Sequence, residues 1–267
     1  MQMTTLLAHP VPKQVVSAST SWYDMVSLAS IQADLAGNCP TAYQCLENLN
    51  LYDSPTLQDL ATQAVAGRQL RILAPLPDAD TNSASGAVSV VLCEDDYPGW
   101  VAVEDLDLLA AAEEPYRAIA LSTDDIRACL PQVIAFAHQA MAQPNHYLWG
   151  GTVGPNYDCS GLVQTAFASA GIWLPRDAYQ QEAFVQPIPA ADLQPGDLVF
   201  FGRPDRCTHV GLYLGDGQYL HSSGKDQGRN GIGIDVLSAQ GDTISRTYFS
   251  QFRGAGRIVA CYLGVGS

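Results

Sequence analysis

A cysteine and two histidines carry the reactive chemistry of this sequence. Cys159 stands between an acid and a serine in YDCSGLVQTAFASAG, Tyr157 to Gly171. His209 and His221 mark the two ends of HVGLYLGDGQYLH. A thiol beside an imidazole base is the pairing that performs covalent acyl transfer, with the thiolate as nucleophile. Two other uses of Cys159 compete with that one. It can be core filler ahead of an apolar helix, or it can join Cys207, His209 and His221 at a zinc ion. The Cys-x-His spacing is unusual for zinc and no paired CxxC supports it. The segment GGTVG, 150–154, is not GxGxxG and lacks a P-loop lysine, so phosphate binding is weakly indicated.

The elements around these residues decide whether they can meet. Leu162, Val163, Ala166, Phe167 and Ala170 form one apolar face of a helix, which Gly171 would end at its C′ position. Cys159 then lies in the first turn. Unpaired N–H groups and the positive end of the helix dipole favour its thiolate there, and its own N–H can face a developing oxyanion. The histidines fall on a hairpin. With Gly215-Asp216-Gly217 as the connection, Leu214 pairs with Gln218. His221 then lies opposite Gly211, and His209 opposite Ser223. Side chains alternate faces, so the two imidazoles emerge on one face as diagonal neighbours, with Cα atoms roughly 7–8 Å apart. A two-residue connection would put them on opposite faces, so the pairing depends on loop parity. In this geometry His209 is the base for Cys159 and His221 orients it.

The rest of the chain reads as support for this region. Residues 1–41 form an extension that is weakly ordered or carries a short helix over Trp22–Asp34. From 42 to 112, short β-branched or alternating runs are separated by turns at roughly ten-residue spacing, the pattern of a small β-barrel. Within it TLQDLATQA, 56–64, can form one helical turn. A linker covers 113–125. The remainder, 126–267, opens with a helix in DDIRACLPQVIAFAHQAMAQ, capped by Ser122 or Thr123. Pro131 either kinks that helix or starts a second one. Strands follow in GDLVFFG, in the histidine hairpin and in GIGIDVLS. The expected class is α+β, with a barrel domain followed by a mixed domain.

Composition narrows the partners. The 267 residues include 13 Lys+Arg against 27 Asp+Glu, a net charge of −14. That argues against nucleic acid, an anionic membrane surface and direct docking on an acidic wall polymer. No apolar run approaches the roughly 18 residues of a membrane span. The first residues lack a basic region followed by a long apolar one, so no signal peptide is expected. Seven cysteines at irregular spacing suggest a reduced, cytoplasmic protein without a disulfide framework. A monomer without metal or cofactor is expected.

Four segments together resemble the NlpC/P60 cysteine peptidases: YLWGGTVGPNYDCSGLVQTAF, LQPGDLVFFG, THVGLYLGDGQYLHSSG and GIGID. The resemblance covers about residues 126–262. The preceding LNLYDSP, GRQLRIL and EDDYPGWVAVEDLDLL look like a bacterial SH3-type domain. The combination is similar to the cyanobacterial-type γ-D-glutamyl-L-diamino acid endopeptidases, which implies a papain-like catalytic domain beside an SH3-like barrel. The resemblance makes Cys159 the nucleophile, His209 the general base and His221 the third member. It places Tyr147 beside the oxyanion site. Asp158 would hold the substrate's free amino terminus, with Ser160 lining the same pocket and Tyr97 closing it. Arg176 would meet a carboxylate or tie down a loop. Which of Glu94, Asp95, Glu113 or Glu114 assists at the amine stays open. The implied substrate is a free murein stem peptide with an N-terminal L-Ala. The alternatives are a wall-peptide-binding module without turnover, and a thiol amidase or acyltransferase on the same scaffold.

Overall fold

The computed structural model describes residues 26, 28–36, 42–73 and 86–264. The first helix, α1 (Leu28–Ala36), overlaps the short helix expected over Trp22–Asp34, whose first part lies largely outside the described residues. It docks on the barrel: Ile31 is fully buried, and Tyr43 donates to Asp34 at 2.6 Å.

Seven antiparallel strands follow: β1 (Ala42–Cys45), β2 (Leu49–Tyr52), β3 (Leu60–Ala64), β4 (Gln69–Ile72), β5 (Ala87–Leu92), β6 (Pro98–Ala102) and β7 (Leu109–Ala111). Their order in the sheet is β3-β2-β6-β5-β4-β1-β7. Inward residues alternate along each strand, and Leu49, Leu51, Leu70, Val90, Leu92 and Val101 fill the interior. The helical turn expected in TLQDLATQA does not form. Residues 60–64 are strand β3, paired to β2 with Ala64 opposite Leu49, because Thr62 and Ala64 are the positions that sheet burial requires.

Helix α2 (Thr123–Ala142) opens the second half, with Ser122 and Asp125 forming a capping box. It runs through Pro131 without restarting. Pro131 and Arg127, whose carbonyl lacks the Pro131 N–H as a helical partner, are both solvent-exposed. Helix α3 (Cys159–Ala168) begins at the cysteine. Gly171 ends it at φ +79°, where its N–H meets Ala168 O at 2.9 Å and the Ile172 N–H meets Phe167 O at 3.0 Å, the expected left-handed cap. Then come α4 (Ala178–Phe184), β8 (Gln186–Ile188), β9 (Leu198–Arg203), β10 (Arg206–Gly215), β11 (Gln218–Ser223), β12 (Gly231–Val236), α5 (Thr243–Ser250) and β13 (Phe252–Arg257). The sheet order is β12-β11-β10-β9-β13-β8. Phe167, Leu162 and Val163 of α3 pack with Phe200, Val210 and Leu220 in one core cluster. Phe201, Tyr219 and Tyr248 belong to another. The fold is α+β, with an SH3-like N-terminal barrel and a papain-like second half.

The two halves meet through polar contacts. Thr152 Oγ1 donates to Gln63 O at 2.7 Å, and Gln164 Nε2 donates to Asp95 at 2.9 Å. Arg68 pairs with Glu94 and Asp95 and lies over the Trp173 ring, 4.6 Å from its centroid.

Candidate active site

The hairpin reaches the expected register by a different route. Gly215 pairs with Gln218 across a two-residue turn of Asp216 and Gly217, both at positive φ, as that turn requires. Alone, that turn would separate the histidines. A bulge between Tyr213 and Gly215 adds one residue on β10 and restores parity. Beyond it Leu212 pairs with Leu220, the register that sets His221 level with Gly211. The two imidazoles meet: His209 Nε2 lies 2.7 Å from His221 Nδ1. Both rings are buried.

Cys159 occupies the first position of α3, and Asp158 caps the helix by accepting from the Gly161 N–H at 2.6 Å. The backbone N–H groups of Val210 and Ser160 favour the Cys159 thiolate. Val210 follows His209, so the thiol lies beside the base's own strand. His209 spends Nε2 on His221, which leaves Nδ1 for any further partner.

Burial pushes the Cys159 thiol up to about 12, and the Asp158 charge adds to it. The Val210 and Ser160 N–H groups and Arg176 oppose these without prevailing. Burial, with His221 nearby, holds His209 well below the ordinary imidazole value. Burial thus works against the charged form of both groups.

Arg176 is buried and uses its guanidinium in a dense cluster. Nη1 and Nη2 fork onto Asp158 at 3.1 and 2.6 Å, Nη1 also meets Ser160 Oγ at 3.0 Å, and Nε donates to Thr62 of β3 at 2.8 Å. It thus both meets a carboxylate and ties the barrel to the start of α3. Asp158 also accepts from the Gly150 N–H at 2.9 Å and Ser160 Oγ at 3.3 Å. A carboxylate has about four lone-pair sites. In this structure those of Asp158 are taken up by Gly150, Ser160, Gly161 and Arg176. Ser160 is likewise turned into this cluster.

Tyr97 does reach the catalytic half, and it finds an acid that sequence reasoning missed. Its hydroxyl contacts the Asp177 carboxylate at 3.3 and 3.4 Å. Burial, opposed by Arg176 and Tyr97, raises the Asp177 carboxyl above its usual value. Glu94 and Asp95 are consumed by Arg68 and Gln164. Glu114 contributes its carbonyl to Gln69. Tyr147 lies near the thiol: burial, then Cys159 and Asp158, raise its phenol.

Three further residues surround the histidines. Asp235 Oδ2 lies 2.6 Å from His221 Nε2, and its Oδ1 accepts from Arg229 at 2.6 Å. Tyr248 of α5 stacks on His209 with ring centroids 4.4 Å apart and bonds Ser223 Oγ at 2.7 Å. The signal for Asp235 was present in GIGID: His221 pairs with Gly233, so Asp235 is its diagonal neighbour on the same face. Nothing in the sequence pattern marked Tyr248. The zinc grouping does not assemble. Cys207 directs its sulfur to the His209 carbonyl at 3.4 Å, and among the described residues no three His, Cys, Asp or Glu are placed to hold a metal ion. The six described cysteines are free thiols, and Cys39 lies outside the described residues.

Two segments of the chain match known protein families. Residues 144–253 match the NlpC/P60 family, and residues 51–106 match the bacterial dipeptidyl-peptidase SH3 domain. The chain is 39% identical over 95 residues to a γ-D-glutamyl-L-lysine dipeptidyl-peptidase of Bacillus subtilis, covering 34% of this chain and 30% of that protein. It is 46% identical over 81 residues to a bifunctional muramidase/DL-endopeptidase of Bacillus subtilis, covering 29% of this chain and 25% of that protein. The matched segments thus span less than a third of these relatives' length. A solved NlpC/P60 family protein from Bacillus cereus aligns over 85% of this chain and 66% of its own, at 21% identity and TM-score 0.43. A peptidoglycan hydrolase of Mycobacterium tuberculosis aligns over 52% of this chain and 69% of its own, at 29% identity and TM-score 0.42.

Proposed function

We propose that this chain, which carries an NlpC/P60 domain behind a bacterial dipeptidyl-peptidase SH3 domain, is a cysteine peptidase of murein stem peptides. It hydrolyses the amide between γ-D-glutamate and a diamino acid such as diaminopimelate, and requires a free N-terminal L-Ala. The buried wiring of Cys159, His209 and His221 carries the reaction class. Nδ1 of His209 takes the thiol proton as sulfur attacks the carbonyl carbon. The tetrahedral oxyanion faces the N–H of Cys159 and the Tyr147 side. His209 returns the proton to the departing amine, and the acyl-enzyme is then hydrolysed by a water that His209 deprotonates.

Substrate choice rests on the contact between Tyr97 and Asp177, where the barrel meets the catalytic half. We assign Asp177, in place of Asp158, as the acid that receives the L-Ala ammonium, with Tyr97 beside it. Arg176 and Ser160 hold Asp158 and shape the pocket floor. An N-capped stem brings no cation to Asp177 and leaves a half-buried carboxylate with the Tyr97 hydroxyl but no counter-charge, a loss that can reject a ligand by several orders of magnitude. The activity would therefore serve the recycling of released peptides in the cytoplasm. The net charge of −14 supports that reading, since it disfavours an acidic wall polymer.

The test incubates the protein with L-Ala-γ-D-Glu-diaminopimelate and with its N-acetylated form. Release of diaminopimelate from the free peptide alone is expected. Equal cleavage of both sinks the amine pocket, and turnover by Cys159→Ala sinks the mechanism.

A further inference from the structure

The hydrogen-bond chain does not end at His221. Nε2 of His221 lies 2.6 Å from Asp235, and the second oxygen of Asp235 is held by Arg229 at 2.6 Å. His221 is fully buried, and Asp235 is 4% exposed. A carboxylate there can only accept, so Nε2 of His221 must carry a proton. Nδ1 of His221 is then a lone pair, unless the ring is charged. Burial disfavours that charge and holds the His221 pKa down, although Asp235 pulls the other way. With Nδ1 accepting, Nε2 of His209 must donate across the 2.7 Å contact. His209 is left with a bare Nδ1.

We propose that Asp235, oriented by Arg229, sets the tautomer of both histidines and so presents a proton-free Nδ1 of His209 to Cys159. Asp235 is a positioning residue that acts through two rings. It also faces any imidazolium formed on this chain during turnover and stabilises it. The charged and titratable groups around His221 are Asp235 on β12, Arg229 before it, His209 on β10, Tyr219 on β11 and Tyr248 on α5. Of these only Asp235 is an obligate acceptor at Nε2. Gly233 is part of the device. It lies opposite His221 in the β11–β12 register, and a Cβ there would collide with the Arg229 guanidinium.

Arg229 makes the proposal unusually testable. In Asp235→Asn the amide oxygen must stay on Arg229, an obligate donor, so the amide NH2 turns to His221 Nε2. Both tautomers then invert, and His209 carries its proton on Nδ1, where the thiol needs a base. This step rests on the proposed nucleophilic role of Cys159, but its readouts need no identified substrate. Nitrogen-15 NMR of histidine-labelled protein at neutral pH should show His209 and His221 both protonated on Nε2, and both on Nδ1 in Asp235→Asn. Alkylation of Cys159 by iodoacetamide, followed on its peptide by mass spectrometry, should slow in parallel. Where stem-peptide turnover is measured, kcat should fall roughly 10²–10⁴-fold with KM little changed. Adding Arg229→Met to Asp235→Asn frees the amide to turn its oxygen to His221, and should restore the original tautomers and at least about tenfold of the lost rate. A wild-type spectrum with His209 protonated on Nδ1 overturns the proposal, as does an Asp235→Asn protein that keeps both tautomers and its alkylation rate. If Asp235→Asn does not fold, the wild-type spectrum still decides. Wild-type Nε2–H tautomers without cleavage of any murein peptide would sink the substrate reading and leave this wiring standing.

Discussion

The Tyr97 hydroxyl meets the Asp177 carboxylate at 3.3 and 3.4 Å, joining a barrel loop to the residue that precedes α4. Neither residue acquires its role inside its own half. On the proposed function, substrate choice is a property of how the halves dock.

Removing one partner of that contact should damage selection more than chemistry. Tyr97→Phe loses a hydrogen bond to a charged group, about 1.5–3 kcal/mol, or roughly 10- to 100-fold in kcat/KM for the free peptide. Asp177→Asn should erase the preference for the free over the acetylated peptide. Steady-state kinetics on both peptides measures this. A variant that keeps full discrimination removes Asp177 from the amine site.

Acid should destabilise the fold through the buried histidines. Burial depresses His209 and, against Asp235, His221. The unfolded chain then binds more protons as pH falls below about 6.5, so stability is complete above that value and declines beneath it. Each such histidine contributes a slope of up to about 1.4 kcal/mol per pH unit. Cys159 runs the opposite way. Its thiol is pushed up to about 12 by burial, so its contribution fades as pH rises from the unfolded thiol value toward 12. Tm measured across pH should show both limbs, and His209→Gln should flatten the acid one.

Arg176 should be the costliest surface-hidden cation to delete. Arg176→Ala leaves Asp158 buried without its forked partner and frees Thr62 Oγ1. Breaking a buried pair in this way costs about 3–5 kcal/mol. Urea unfolding should show the loss, while Thr62→Val, which leaves Asp158 paired, should cost much less.

Gly161→Ala should act on the same helix start by crowding. A Cβ at 161 would run into the Gly151 carbonyl and the Asp158 carboxylate. Destabilisation of about 1–3 kcal/mol is expected. Peptidase activity should fall further than stability, because Cys159 sits two residues away. Equal activity would show that this loop tolerates displacement.

Much of this was legible in the chain. The apolar face of Leu162, Val163, Ala166 and Phe167 located α3, and with it Cys159 at a helix start. Period-two alternation located the barrel and the hairpin, although the segment of β3 is also compatible with a helical turn because five residues hold too little periodicity. The pairing of His209 with His221 followed from parity, even though a bulge and a two-residue turn replaced the expected three-residue connection.

The sequence by itself determined which residues are reactive and which faces they share, since those follow from periods of 3.6 and 2 along a few neighbouring residues. Only the tertiary structure decided their charge states and their partners. Burial raises the Cys159 thiol against its local helix-start preference. Likewise, Arg176 forks onto Asp158, and the Tyr97 hydroxyl meets Asp177. Those contacts join residues 18 and 80 positions apart, and no local pattern encodes such a distance.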